Sequence, residues 1–196
     1  MWPRLVLLDR DGVINADSPN YILSIEDFQP LPGSIEAIAR LSTNAIDVAV
    51  CTNQSAVGRG FLSPDTLNAI HTEFTNQINR AGGQLVGIYA CPHSPDAQCN
   101  CRKPAPGLCR QALLDRHVLP SDALFIGDSQ RDLAAAAAAG IPAWLVRTGN
   151  GASIEATQPA HQPVFDDLAS AVDALLAIEL ASGIGTGKFG TGTNNG

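Results

Sequence analysis

Four short clusters in this chain concentrate carboxylates, cations and hydroxyls: Asp9-Arg10-Asp11-Gly12, Thr52-Asn53-Gln54-Ser55, Arg102-Lys103-Pro104 and Gly127-Asp128-Ser129-Gln130-Arg131-Asp132. Asp9 and Asp128, brought together, would make a hard oxygen site suited to Mg²⁺. A carboxylate that attacks a phosphate dianion needs the phosphate's charge neutralised. Lys103, Arg102 and the cation would supply positive charge, and the Thr52 hydroxyl and backbone N–H groups would hydrogen-bond the phosphoryl oxygens. Asp11, two residues beyond Asp9, is placed to act as general acid toward a leaving oxygen. An Asp-x-Asp after a strand is often only a turn or a helix cap, and Lys103 alone would read as a solvated surface residue. The weight lies in four clusters whose chemistries complete one another.

A second group is soft. Cys91-x-His93 and Cys99-x-Cys101 place four ligands within eleven residues. A Cys₃His set closes a tetrahedral structural Zn²⁺ site and leaves no position open for catalysis. Its expected work is to order a polar loop and to aim Arg102 and Lys103, which follow at once. The alternative is free thiols and a surface histidine. Cys51 and Cys109 read as small apolar core residues. His71, His117 and His161 show no partner pattern and read as surface or helix residues.

The elements that must carry these residues are legible as apolar runs. Leu5–Leu8, Ile46–Cys51, Leu85–Ala90, Leu124–Ile126 and Trp144–Val146 read as buried strands, each followed by polar or turn residues. Helical patterns lie between them. Gly33-Ser34 opens one helix. Ser63-Pro64-Asp65 starts another, with a capping serine, a proline at the first helical position and an acid at the positive dipole end. Pro106 opens a third that runs to about His117, Asp132 to Ala139 forms a fourth, and Asp167 to about Leu180 a fifth. Strands alternating with helices predict an α/β fold with a parallel sheet covered on both faces. Ligands of such sheets bind at the carboxyl ends of the strands, where three of the polar clusters fall; Arg102-Lys103-Pro104 comes just before the third helix. One domain over residues 1–180 is expected, with residues 181–196, rich in Gly, Thr and Asn, as a flexible tail.

The 196 residues carry a net charge of -7, with 45% hydrophobic and 16% charged residues. The acidic balance argues against a general nucleic-acid-backbone binder. No apolar stretch reaches the roughly 20 residues of a membrane span, and the amino-terminal sequence lacks a signal-peptide pattern. Five cysteines, three of them clustered, suit metal chemistry in a reducing compartment. A cytoplasmic monomer is expected.

Asp9-Arg10-Asp11-Gly12-Val13, Thr52, Lys103 and Gly127-Asp128…Asp132, in that order, resemble the four motifs of the haloacid dehalogenase-type phosphatases. The resemblance implies a Rossmann-like fold with a minimal cap. It implies Asp9 as nucleophile, Asp11 as general acid and base, and Mg²⁺ held by Asp9, the Asp11 carbonyl and Asp128. It also implies zinc on Cys91, His93, Cys99 and Cys101, and substrate contacts from Asp17, Ser18, Pro19, Asn20, Thr52, Asn53, Gln54, Ser55, Arg102, Lys103 and Ser129. Tyr21, Gly58-Arg59-Gly60 and Val146-Arg147-Thr148-Gly149 extend the likeness toward members that remove the 7-phosphate of D-glycero-D-manno-heptose 1,7-bisphosphate, a step toward nucleotide-activated heptose and lipopolysaccharide core. Two departures stand out: the loop between His93 and Cys99 has only five residues, and Ser129 stands where lysine is common.

Histidinol phosphate is the alternative substrate within the same chemistry. A polynucleotide 3′-phosphatase is opposed by the acidic balance and the absence of an aromatic and basic groove. A phospho-signalling receiver would need a phosphorylated aspartate after the third strand, where Cys91-Pro92 stands instead. A zinc-stabilised binding protein without catalysis is the remaining reading of another class.

Overall fold

The computed structural model describes residues 2–183. The tail expected over 181–196 therefore lies outside the described residues from 184 onward. Among the described residues, no helix is long and apolar enough to cross a membrane.

Among the described residues, six parallel strands form one sheet: β1 (Leu5–Leu8), β2 (Asp47–Asn53), β3 (Gly87–Cys91), β4 (Ala123–Gly127), β5 (Ala143–Val146) and β6 (Val164–Phe165). Their order is β3-β2-β1-β4-β5-β6. Leu8 of β1 lies opposite Val50 of β2 and Ile126 of β4. The chain winds outward from β1 in both directions, so the order reverses between β1 and β4, and a crevice opens there at the strand ends.

Strand side chains alternate between faces, and β1 shows this directly. Val6 and Leu8 pack with Ile35, Ile38, Leu41 and Phe74. Those residues come from helices α1 (Ser34–Thr43) and α3 (Pro64–Arg80), and helix α7 (Leu168–Gly183) adds Leu168, Val172 and Leu175 to the same layer. Leu5 and Leu7 pack on the other face with Leu108, Cys109 and Ala112 of α4 (Gly107–Arg116) and with Ala135 and Ala136 of α5 (Gln130–Ala139). Burial on both faces explains why the central strands are apolar throughout.

The boundaries differ from expectation where polar groups pair. β2 runs through Thr52 and Asn53, whose backbone continues the ladder opposite Ala90 and Cys91. The helix expected from Asp132 starts two residues earlier. Asp132 is its third residue and forms a capping box with Ser129, satisfying two backbone donors that would otherwise be orphaned. Ser63 caps α3 as expected, accepting from the Thr66 N–H at 3.0 Å. The two-residue β6 and the single turns α2 (Ser55–Gly58) and α6 (Gly151–Ile154) have no counterpart in the sequence pattern. Segments that short carry no readable periodicity.

Candidate active site

Asp9 leaves β1 with its N–H donating to the Ile126 carbonyl of β4 at 3.1 Å. Its carboxylate is thereby set at the reversal point, beside Asp128 at the end of β4. Asp9, Asp128 and Asp132 can bring one oxygen each within 4.8 Å of one another. Two glycines permit this approach. Gly12 has φ +84 and Gly149 φ +59, and a Cβ on either would run into Oδ2 of Asp128. That same oxygen accepts from the Asn150 N–H at 2.8 Å and from Asn150 Nδ2 at 3.1 Å. Gly149→Ala should therefore displace the Asp128 carboxylate as well as strain a left-handed residue. A 1 Å misplacement costs about 10²-fold in rate, so turnover should fall by about that factor and the divalent-ion requirement should rise. Titrating activity against Mg²⁺ checks both.

Lys103 is 1% exposed, yet its ammonium is 2.8 Å from Asp9 Oδ1 and 2.6 Å from Asp132 Oδ1. Asn53 on β2 fixes it by gripping its backbone: Asn53 Oδ1 accepts from the Lys103 N–H and Asn53 Nδ2 donates to the Lys103 carbonyl, both at 3.0 Å. Asp132 is in turn oriented by Ser129, whose N–H and hydroxyl donate to Oδ2 at 3.0 and 2.6 Å.

Electrostatics follow from this crowding. Burial pushes the Asp9 carboxyl well above the ordinary carboxylate range; Asp132 and Asp128 push it further, and Lys103 opposes them. Asp128 is raised to about 6 by burial, against its bonds from Asn150. Burial would lower Lys103, but Asp132 and Asp9 raise it overall. Asp132 is held low by Lys103 and Ser129 despite its burial.

Three carboxylates against one ammonium leave a negative centre of hard oxygens, the setting for a divalent cation. The Asp9 and Asp128 carboxylates each keep one oxygen without a partner among the described residues, and so does the Asp11 backbone carbonyl. Both oxygens of Asp132 are engaged. The donor set thus fits Mg²⁺ on Asp9, Asp128 and the Asp11 carbonyl.

The Asp11 carboxylate is held from several sides. Arg10 Nε and Nη2 donate to it at 2.8 to 3.0 Å, Asn15 Nδ2 at 2.9 Å and Gln54 Nε2 at 2.9 Å. Gln54 Nε2 also donates to Thr52 Oγ1 at 2.8 Å.

A cavity of about 160 Å³ opens over these groups. Of the residues expected to act or bind, Asp9, Asp11, Asp17, Ser18, Thr52, Asn53, Gln54, Ser55, Arg102, Lys103, Asp128 and Ser129 line it. Pro19 and Asn20 do not; they stand exposed in the turn beyond Ser18. Arg102 Nη1 is buried without a hydrogen-bond partner among the described residues, a donor aimed at no protein acceptor. Tyr21, Ile22, Arg131, Asp132 and Asn150 line the cavity as well; Arg131 and Asp132 belong to the fourth polar cluster and Tyr21 to the resemblance, though no role is expected of them, while Ile22 and Asn150 carry no signal in the sequence pattern. For Asp132 a readable clue existed in Ser129-x-x-Asp132, a capping-box spacing.

Cys91 ends β3, and the loop after it returns to the same spot. Cys101 Sγ lies 3.2 Å from Cys91 Sγ, 3.4 Å from Cys99 Sγ and 3.2 Å from His93 Nδ1, while Cys91 is 3.5 Å from His93 Nδ1 and 3.6 Å from Cys99. Zinc–sulfur bonds of about 2.3 Å in a tetrahedron imply sulfurs about 3.8 Å apart, so the cluster fits a zinc shell with slight expansion. Burial works to raise Cys99, but the Arg102 N–H and the neighbouring thiols bring it down to about 6, whereas burial pushes Cys91 up to about 12. Cys51 and Cys109 are buried core residues, as expected.

The family model described as HAD-hyrolase-like matches residues 100–171. The chain is 43% identical to the D-glycero-beta-D-manno-heptose-1,7-bisphosphate 7-phosphatase of Pseudomonas putida over 175 residues, 88% of this chain and 99% of that one. It is 43% identical to the protein of the same name from Bordetella bronchiseptica, covering 88% of this chain and 98% of the other. Among solved structures, the B. bronchiseptica D,D-heptose 1,7-bisphosphate phosphatase complexed with magnesium and phosphate superposes with a TM-score of 0.86 at 43% identity, over 89% of this chain and 99% of that one. The Burkholderia thailandensis phosphatase of the same kind gives a TM-score of 0.65 at 36% identity, over 89% and 99%.

Proposed function

The chain belongs to the haloacid dehalogenase-like phosphatases, in the heptose-1,7-bisphosphate 7-phosphatase group, and from that premise we propose that it removes the 7-phosphate of D-glycero-D-manno-heptose 1,7-bisphosphate through a phosphoaspartate on Asp9. The observation that carries the proposal is the Asp9 carboxylate itself. One oxygen is pinned by Lys103 at 2.8 Å, and the other has no partner among the described residues, in a cavity shared with Asp128, Thr52 and Arg102.

In the first step the free Asp9 oxygen attacks phosphorus. The bond from phosphorus to the sugar oxygen breaks, and Asp11 gives its proton to that oxygen. In the second step water attacks phosphorus, the bond to Asp9 breaks, and Asp11 takes the proton from water. The bonds Asp11 accepts here are those of the carboxylate, the form that receives this proton. Lys103 and Arg102 hold the charge that develops on the phosphoryl oxygens, and the Thr52 hydroxyl supplies a further donor. Mg²⁺, held by Asp9, Asp128 and the Asp11 carbonyl, would neutralise the phosphate's charge when bound. Zinc on Cys91, His93, Cys99 and Cys101 would be structural, since four protein ligands close its shell.

The beta anomer is the proposed substrate form, because the P. putida and B. bronchiseptica relatives carry that anomer in their names. We place the enzyme in the cytoplasm as a monomer, a setting that suits five cysteines none of which is in a disulfide and a place in making nucleotide-activated heptose for lipopolysaccharide. Phosphate release should be measured with both anomers of the heptose bisphosphate, with histidinol phosphate and with an oligonucleotide 3′-phosphate. A site built to hydrogen-bond sugar hydroxyls discriminates strongly against compounds lacking them. A kcat/KM at least about 10²-fold higher for the beta bisphosphate than for histidinol phosphate is expected. A preference for histidinol phosphate would replace the substrate and leave the chemistry standing.

A further inference from the structure

Arg10 is the largest fully buried side chain among the described residues, and the mechanism above gives it no task of its own. Burying a guanidinium is costly unless its donors are matched. Nε and Nη2 serve Asp11. The remaining arm, Nη1, points at helix α3, where His71 Nε2 lies at 3.4 Å.

Guanidinium can only donate, so this ring nitrogen must accept. The imidazole is then neutral and carries its proton on Nδ1. Burial, followed by the Arg10 charge, pushes His71 down to about 4, in keeping with that assignment. The ring is set edge-on against Phe74 at 5.8 Å and 87°, and Phe74 stacks on Phe28 at 5.4 Å. His71, read from sequence as a surface or helix residue, is therefore fixed from two sides.

We propose that His71 is a positioning residue for leaving-group protonation, acting through Arg10 on Asp11. A carboxylate and a guanidinium joined only to each other can turn together as a unit. A third contact on the far arm of the guanidinium fixes its plane, and the plane fixes which way the Asp11 oxygens face. Asn15 and Gln54 hold those oxygens from the other sides. His71 thus connects α3, which contributes nothing to the cavity wall, to the group that hands over the proton. The inference rests on the reading of Asp11 as general acid.

The test compares kcat/KM, which reports the steps through phosphoenzyme formation, for two esters: the heptose bisphosphate, whose alkoxide must be protonated as it leaves, and p-nitrophenyl phosphate, whose phenolate leaves unaided. General acid catalysis is worth about 10² to 10⁴, and loosening the acid should forfeit about 10-fold of that. His71→Phe keeps a ring but has no acceptor. It should lose about 10-fold on the sugar ester and stay within about 2-fold of wild type on p-nitrophenyl phosphate. His71→Gln, whose Oε1 can accept from Arg10, should recover most of the loss. Equal loss on both esters, loss on neither, or no recovery with Gln would overturn the proposal. Asp11→Asn run alongside separates the two levels. If it shows the leaving-group signature and His71→Phe does not, only His71 loses its role; if Asp11→Asn lacks the signature, the acid assignment and the inference fall together.

Discussion

Asp9→Asn should abolish turnover, by at least about 10⁴-fold in kcat, while raising the melting temperature in magnesium-free buffer. The first half follows from the covalent catalysis proposed for Asp9. An amide has no anionic oxygen to offer phosphorus, and loss of a nucleophile is not made good by its neighbours. The second half follows from the electrostatics. The folded-state pKa of Asp9 lies well above 3.8 because burial, Asp132 and Asp128 all disfavour the charge. A group raised in this way contributes stability at low pH and loses it as pH rises from the unfolded pKa through the folded one. At neutral pH its ionised form therefore opposes folding, and the isosteric amide removes that opposition. Lys103 keeps a partner in Asp132 at 2.6 Å, so the substitution does not strand a buried ammonium. Single-turnover phosphate release and thermal unfolding of the same sample check the two halves. Near-normal turnover in the variant would mean that another residue attacks phosphorus. A sharp fall in melting temperature would mean that the carboxylate is a structural member of the sheet end.

Stripping the Cys₃His cluster should cost nearly as much by a different route. The segment from Pro92 to Arg102 is mostly exposed or half-exposed, and its tip is a single turn over Pro95–Ala97. It has too little apolar surface to hold itself. Structural zinc contributes on the order of 10 kcal/mol to such segments. Without zinc, three thiols and an imidazole 3.2 to 3.6 Å apart have only weak mutual contacts. Arg102 should then lose its place over the cavity. Treatment with a strong chelator, followed by Mg²⁺ alone, should leave activity at least about 10-fold down, and adding Zn²⁺ should restore it. Cys101→Ala should reproduce the loss and remove the zinc measured by elemental analysis. Full activity in protein shown to be free of zinc would refute the structural role.

The strands and helices were legible because each buried element carries a continuous or periodic apolar pattern: Leu5–Leu8 has no polar residue, and β1 is buried along its whole length. Clustering of Asp9, Thr52, Lys103 and Asp128 at strand ends was legible for the same reason, since parallel order puts all carboxyl ends on one side. What sequence could not supply was the assignment of individual hydrogen bonds. Asn53 sits in a stretch expected to touch substrate, but both polar atoms of its side chain are engaged by the backbone of Lys103, fifty residues away. Asn150 lies just past the Val146–Gly149 stretch and belongs to no motif itself, yet it holds Asp128 by two bonds. His71 lies at a helical position facing Arg10, which its local pattern does not reveal. Such pairings depend on which loops meet above the sheet, and periodicity carries no record of that.

The stretch from Cys91 to Lys103 is moored twice, at one end by the cysteine and histidine cluster and at the other by the two bonds from Asn53. Its crest, Ser94 to Gln98, hangs between His93 and Cys99, the two halves of the cluster. Residues there can be added, removed or exchanged without shifting the ammonium group that faces Asp9. In this scaffold the length and make-up of the crest and the seat of Lys103 beside Asp9 are separately adjustable, so the crest can vary between lineages while that ion pair stays where it is.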